Sequence, residues 1–108
     1  MRDLVIIIFI LFAFIASFTV VNKMEEKKKL YFFTTNNCVY CEKMKKEVFP
    51  KVKDDLEKFD FQEINNSDLA DKYDVESFPT FIILDGAKEL RRHVGYADVE
   101  TFKKWLNE

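Results

Sequence analysis

The eighteen residues from Leu4 to Val21, LVIIIFILFAFIASFTVV, hold no charge, no Pro and no Gly, and NKMEEKKK follows at once. As a helix rising ~1.5 Å per residue the run would be about 27 Å long, close to the ~30 Å of a hydrocarbon core. A helix apolar on every side cannot be enclosed by so short a remainder of chain, so the run stands apart from the folded domain. The chain therefore divides into residues 1–29, a signal peptide or membrane anchor with a charged linker, and residues 30–108, one small domain. Signal-peptide h-regions span ~7–15 residues, and no clean A-x-A site follows this run, which favours an uncleaved anchor. The run contains no Cys, which excludes lipoprotein attachment. Lys23, Lys27, Lys28 and Lys29 lie after it and only Arg2 and the amino terminus before it, an asymmetry that by the positive-inside rule points the domain to the cytoplasm. Glu25 and Glu26 sit among those lysines, and the chemistry argued below suits export. An exported, periplasmic or otherwise extracytoplasmic domain, held at the inner membrane through residues 4–21, is the expectation.

Residues 30–108 carry twelve Lys and Arg against sixteen Asp and Glu, a net charge of minus four, while residues 1–29 carry plus two. Nucleic-acid binding needs a strongly basic face, so no nucleic-acid partner is expected. The only glycines, Gly86 and Gly95, are isolated and cannot build the Gly-rich loops that cradle phosphates. Two Cys and one His exclude a multi-bridge disulfide scaffold and leave too few ligands for a metal site within the chain. Neither a metal nor another cofactor is expected, and the domain reads as a monomer.

Strand and helix patterns alternate through the domain. Leu30 to Thr35 is a short apolar run that reads as a strand buried on both faces. From Cys38 the period becomes helical, with Met44, Val48, Val52 and Leu56 on one face and a break predicted at about Phe49, ahead of Pro50. Phe59 to Asn65 alternates like a strand, and Asn66-Ser67 can cap a short helix, DLADKY. TFIIL after Phe78-Pro79 is a third strand, Asp85-Gly86 a turn, and Lys88 to Val94 a fourth strand, on which His93 is expected to face solvent. A last helix starts near Asp98 with Val99, Phe102 and Leu106 on one face and Trp105 at its margin. The order βαβαββα predicts an α/β fold, a four-stranded mixed sheet with helices on both faces.

Cys38-Val39-Tyr40-Cys41 stands where the first strand meets the first helix. Residues at i and i+3 of a helix's opening turn share one side, so the sulfurs can approach the ~2.05 Å of a disulfide. Unpaired N–H groups and the helix dipole there favour a thiolate on the first Cys, and the thiolate is the form that attacks disulfides. Cys38 is thus the candidate nucleophile and Cys41, one turn inward, the resolving thiol. No second CxxC or HxxxH accompanies the pair, and residue 42 is Glu, so zinc binding and covalent haem attachment find no support. A purely structural disulfide would close a small loop and constrain the unfolded chain little.

The βαβαββα order, CVYC after the first strand, Phe78-Pro79-Thr80 before the third and Val94-Gly95-Tyr96 before the last helix together resemble the thioredoxin superfamily, over essentially all of residues 30–108. CEKMKKEVF after the active site is similar to exported thioredoxin-like domains of that superfamily. The resemblance implies a thiol-disulfide oxidoreductase exchanging dithiols and disulfides with protein substrates and a redox partner protein, more as reductase or relay than as oxidase. It also implies that Pro79 is cis, that the backbone of Phe78 pairs with bound substrate, and that Thr80 and Tyr40 belong to the substrate site. The chain departs from thioredoxin itself in having Asn37 for the usual Trp, Val39-Tyr40 for Gly-Pro and Phe32 for a buried acid, which leaves water or another group, Glu42 being a weak candidate, to accept the Cys41 proton. Two other readings remain open at this point, a redox-inactive binding module of the same fold and a copper-handling protein that completes its ligands from another chain.

Overall fold

The computed structural model describes residues 27–108, and the expected anchor or signal at residues 4–21 lies outside them. Among the described residues no helix is long and apolar enough to cross a membrane. Four strands, β1 (Lys29–Phe33), β2 (Asp60–Ile64), β3 (Thr80–Asp85) and β4 (Lys88–Val94), form one sheet in the order β2-β1-β3-β4. β1 pairs in parallel with β2 and antiparallel with β3, and β3 pairs antiparallel with β4. The helices are α1 (Val39–Lys43), α2 (Lys53–Leu56), α3 (Ser67–Lys72) and α4 (Val99–Leu106).

Alternation along the strands sends side chains to two faces. Leu30, Phe32, Phe81 and Ile83 face one layer, where Cys41, Met44, Val48 and Val52 of the first helical stretch and Phe102, Trp105 and Leu106 of α4 complete a core. Phe33, Ile82 and Leu84 face the other, covered by Ala70 of α3 and by Val75. The first core is crowded with aromatic rings: Phe32 lies 5.1 Å from both Phe49 and Phe81, and Phe81 lies 4.7 Å from Phe102.

The break predicted near Phe49 takes a particular form. After α1 the helix widens to a π-helical segment over Met44–Val48, where the Phe49 N–H donates to the Met44 carbonyl, and then tightens to a 3-10 turn over Phe49–Lys51. Pro50 lacks an N–H and its ring would clash with a preceding carbonyl in a straight α-helix; the wider turn makes room while Met44, Val48 and Val52 stay buried. Gly86 (φ +62°) opens the two-residue turn between paired Asp85 and Lys88, the first-position glycine that a type II′ hairpin turn requires.

Three expectations are corrected. β1 ends at Phe33 rather than Thr35, because Thr34 already turns away from the ladder and keeps only a bond from its N–H to the Ile64 carbonyl. Trp105, expected at a margin, is buried, while Val99 is only half-buried. His93, expected to face solvent, pairs across the sheet with Phe81 and so shares the aromatic face. Its ring lies 5.8 Å from Trp105 and 6.3 Å from Phe81, with Nε2 enclosed and unpartnered.

Candidate active site

β1 runs toward the site, and Asn36-Asn37 turns its exit into α1. Asn37 adopts φ +59°, a left-handed conformation that asparagine tolerates better than most residues, and Asn36 Oδ1 accepts from Asn65 Nδ2 at 3.0 Å. Cys38 is the N-cap of α1, with extended backbone, and its Sγ accepts from the Cys41 N–H at 3.2 Å. The two cysteines are joined as a disulfide with Cα atoms 5.2 Å apart. Cys38 is half-buried and Cys41 has no exposed surface, so an incoming group can reach one sulfur and not the other.

The residues expected around the pair meet at this end of the sheet. Register places Phe33, the last residue of β1, opposite Thr80, the first of β3, and Thr80 opposite Val94, the last of β4. The Phe78–Pro79 peptide is cis, Pro79 is buried, and its carbonyl accepts from the Gly95 N–H at 2.8 Å. Phe78 and Cys38, both half-buried, pack against the core cluster that contains Cys41. Thr80 is buried and its hydroxyl donates to the Ser77 carbonyl at 2.8 Å, so it shapes the loop from within. Tyr40 is 57% exposed and Val39 76%, an apolar rim beside Cys38. Tyr40 lies 6.1 Å from the ring of Tyr96, over which Lys43 Nζ sits at 4.7 Å.

Sequence reasoning missed a polar cluster on the same side. Lys45, four residues beyond Cys41, pairs with Glu63 of β2 and lies 3.7 Å from Glu42. The hydrogen bond to Glu63 leads the effects that hold the Lys45 amine above its ordinary pKa. Register would have found it, since Glu63 pairs with Phe32 on the face that carries α1. Glu42, weighed as a proton acceptor for Cys41, is exposed and belongs to this cluster. Among the described residues no group of three or more His, Cys, Asp or Glu side chains gathers as a metal site.

The chain is similar in structure to a thioredoxin from Thermus thermophilus, with 27% identity and a TM-score of 0.68 over 75% of this chain and 72% of that one. It is similar also to the thioredoxin NaTrxh from Nicotiana alata, with 30% identity and a TM-score of 0.62 over 79% and 76% of the two chains. A thioredoxin-fold protein from Helicobacter pylori shows 26% identity and a TM-score of 0.69, over 75% and 67%. No curated protein matches the chain. The fold and the Cys38-Cys41 pair support thiol-disulfide oxidoreductase chemistry in general terms. The thioredoxin-like domain family matches residues 17–108, and with that match, the sheet order and the paired cysteines in agreement, the chain belongs to that family.

Proposed function

We propose that the protein exchanges dithiols and disulfides with protein substrates, working as a reductant or relay, with Cys38 as nucleophile and Cys41 as resolving thiol. The difference in burial between the two sulfurs carries this reading. Cys38 has the Cys41 N–H aimed at its sulfur, which stabilises a thiolate. Cys41 lies among Phe32, Met44 and Phe81, surroundings that disfavour one until it is needed.

The Cys38 thiolate attacks one sulfur of the substrate disulfide; that bond breaks, and the departing thiolate takes a proton. Cys41 then gives up its proton and attacks Cys38 Sγ, expelling the second substrate thiolate. The substrate gains two electrons, the pair loses them, and a dithiol partner restores the pair by the reverse steps. Tyr40 and Phe78 flank the substrate segment, with Pro79 and Thr80 shaping the backbone it meets.

The reducing direction rests on the similarity of CEKMKKEVF to exported thioredoxin-like domains. Whatever stabilises the Cys38 thiolate makes the pair more oxidising; the Cys41 N–H does so, and Val39 and Tyr40 add no positive charge to it. Members of the fold span about 150 mV, with ~30 mV worth about 1.4 kcal/mol. Equilibration of the purified domain with glutathione buffers should give a potential toward the reducing end; a value near the oxidising end overturns the direction. The domain works outside the cytoplasm, tethered through Leu4–Val21. Protease added to intact spheroplasts should digest it, and protection there refutes export.

A further inference from the structure

β4 carries two adjacent arginines that turn to opposite faces. Arg91 pairs with Ile83, and its Nε and Nη2 donate to the carbonyls of Trp105 at 3.0 Å and Leu106 at 2.8 Å, closing the end of α4. Arg92 pairs with Ile82 and reaches the other layer, where Nη2 donates to the Tyr73 carbonyl at 2.6 Å and Nη1 to the Asp74 carbonyl at 3.2 Å. The Glu89 carboxylate grips the same guanidinium, accepting from Nη2 at 2.7 Å and Nε at 3.2 Å.

What Arg92 holds is the entry to the loop bearing Phe78-Pro79. α3 ends in a left-handed Asp74 (φ +55°), with the Asp74 N–H donating to the Asp71 carbonyl at 3.1 Å and the Val75 N–H to the Ala70 carbonyl at 2.8 Å. That is a Schellman closure with aspartate in the place glycine usually fills, a conformation costing an L-residue ~1–2 kcal/mol. It satisfies the carbonyls of Ala70 and Asp71, and Arg92 takes those of Tyr73 and Asp74. Residues 75–79 then cross to β3 without regular structure, and the Thr80 hydroxyl grips the Ser77 carbonyl at the exit. We infer that Arg92, clamped by Glu89, is a positioning residue that sets the loop against which a protein substrate docks. This rests on the function proposed above.

The test measures insulin reduction, reduction of a small aromatic disulfide, and amide exchange at residues 75–78 in wild type, Arg92→Met and Arg92→Lys. In Arg92→Met the KM for insulin should rise about tenfold with kcat little changed, since small misplacement of a docking surface costs this much or more. The rate with the small disulfide, which offers no backbone to the loop, should fall less than twofold. Exchange at residues 75–78 should quicken while β1 stays protected. Arg92→Lys, whose ammonium can hold one carbonyl, should lie between, and it carries the test if Arg92→Met does not fold. Equal losses on both disulfides, or unchanged KM and exchange, overturn the inference. A wild type that reduces the small disulfide but not insulin refutes the proposed protein substrate, while exchange still decides whether Arg92 holds the loop.

Discussion

The two faces of the sheet are built unequally. On one, α1, its π and 3-10 continuation and α4 bury Phe32, Phe81, Met44, Phe102 and Trp105 around Cys41. On the other, α3, six residues long, and Val75 cover Phe33, Ile82 and Leu84. The redox pair stands on the thick layer, where close-packed rings hold both sulfurs in register with the helix start. The loop that would meet substrate comes off the thin layer, tied at its entry by two hydrogen bonds from Arg92 and at its exit by one from the Thr80 hydroxyl and one from the Gly95 N–H, with Phe78 packed against both cores. Electron exchange demands a fixed geometry between two atoms of the protein itself, whereas docking demands a shape that can be restored after each partner leaves.

The sharpest break in that comparison comes at the sulfurs. Cys38→Ser should abolish insulin reduction, and Cys41→Ser should accumulate mixed disulfides visible on non-reducing gels; trapping by the Cys38 variant would reverse the two roles. Next, Phe81→Ala on the thick face should lower stability by about 3–5 kcal/mol in urea unfolding, as deletion of a fully buried ring does. A loss under 1 kcal/mol would mean that this face is less tightly packed than its ring distances indicate. Third, Arg91→Met should cost about 1–2 kcal/mol of stability through the lost bonds to the end of α4 and leave the KM for insulin unchanged. An altered KM would show that both arginines, not only Arg92, govern docking.

The smallest effect separates the helix caps. Asp98 caps α4 by accepting from the Thr101 N–H at 2.9 Å, and that bond holds its carboxyl below the usual carboxylate range. A lowered folded-state value means stability that is present above the unfolded value of ~3.9 and lost as pH falls through the folded one. Asn66 caps α3 by accepting from Asp68 and Leu69, and it does not titrate. The difference in urea midpoint between wild type and Asp98→Ala should therefore shrink below about pH 4. The difference for Asn66→Ala, about 1 kcal/mol, should follow no such curve. Parallel pH dependences would overturn the assignment of the two caps.

The outline of the fold was legible because strand and helix periods alternate cleanly, and because Asn66, Asp98 and Gly86 mark caps and a turn with their own chemistry. The cysteine pair was legible for the same local reason, a CxxC at a strand-to-helix junction. What escaped is what sheet register decides. His93 looks like a polar residue on a charged strand until Phe81 is known to lie beside it. Arg91 and Arg92 look like one basic dipeptide until the pleat sends them to different helices. The Lys45–Glu63 contact joins residues of a helix and an edge strand that no single-strand period could bring together.

β1 has a direction, and that direction sets where substrates can be met. The chain enters at Lys29 and reaches Cys38 by the opposite end of the strand, a climb of about 17 Å for five residues at ~3.3 Å each. The described chain thus begins at the foot of the domain, with the sulfurs at its crown. A label or tether attached at Lys27 would stand a full strand length from the exchange chemistry and leave the approach to Cys38 open.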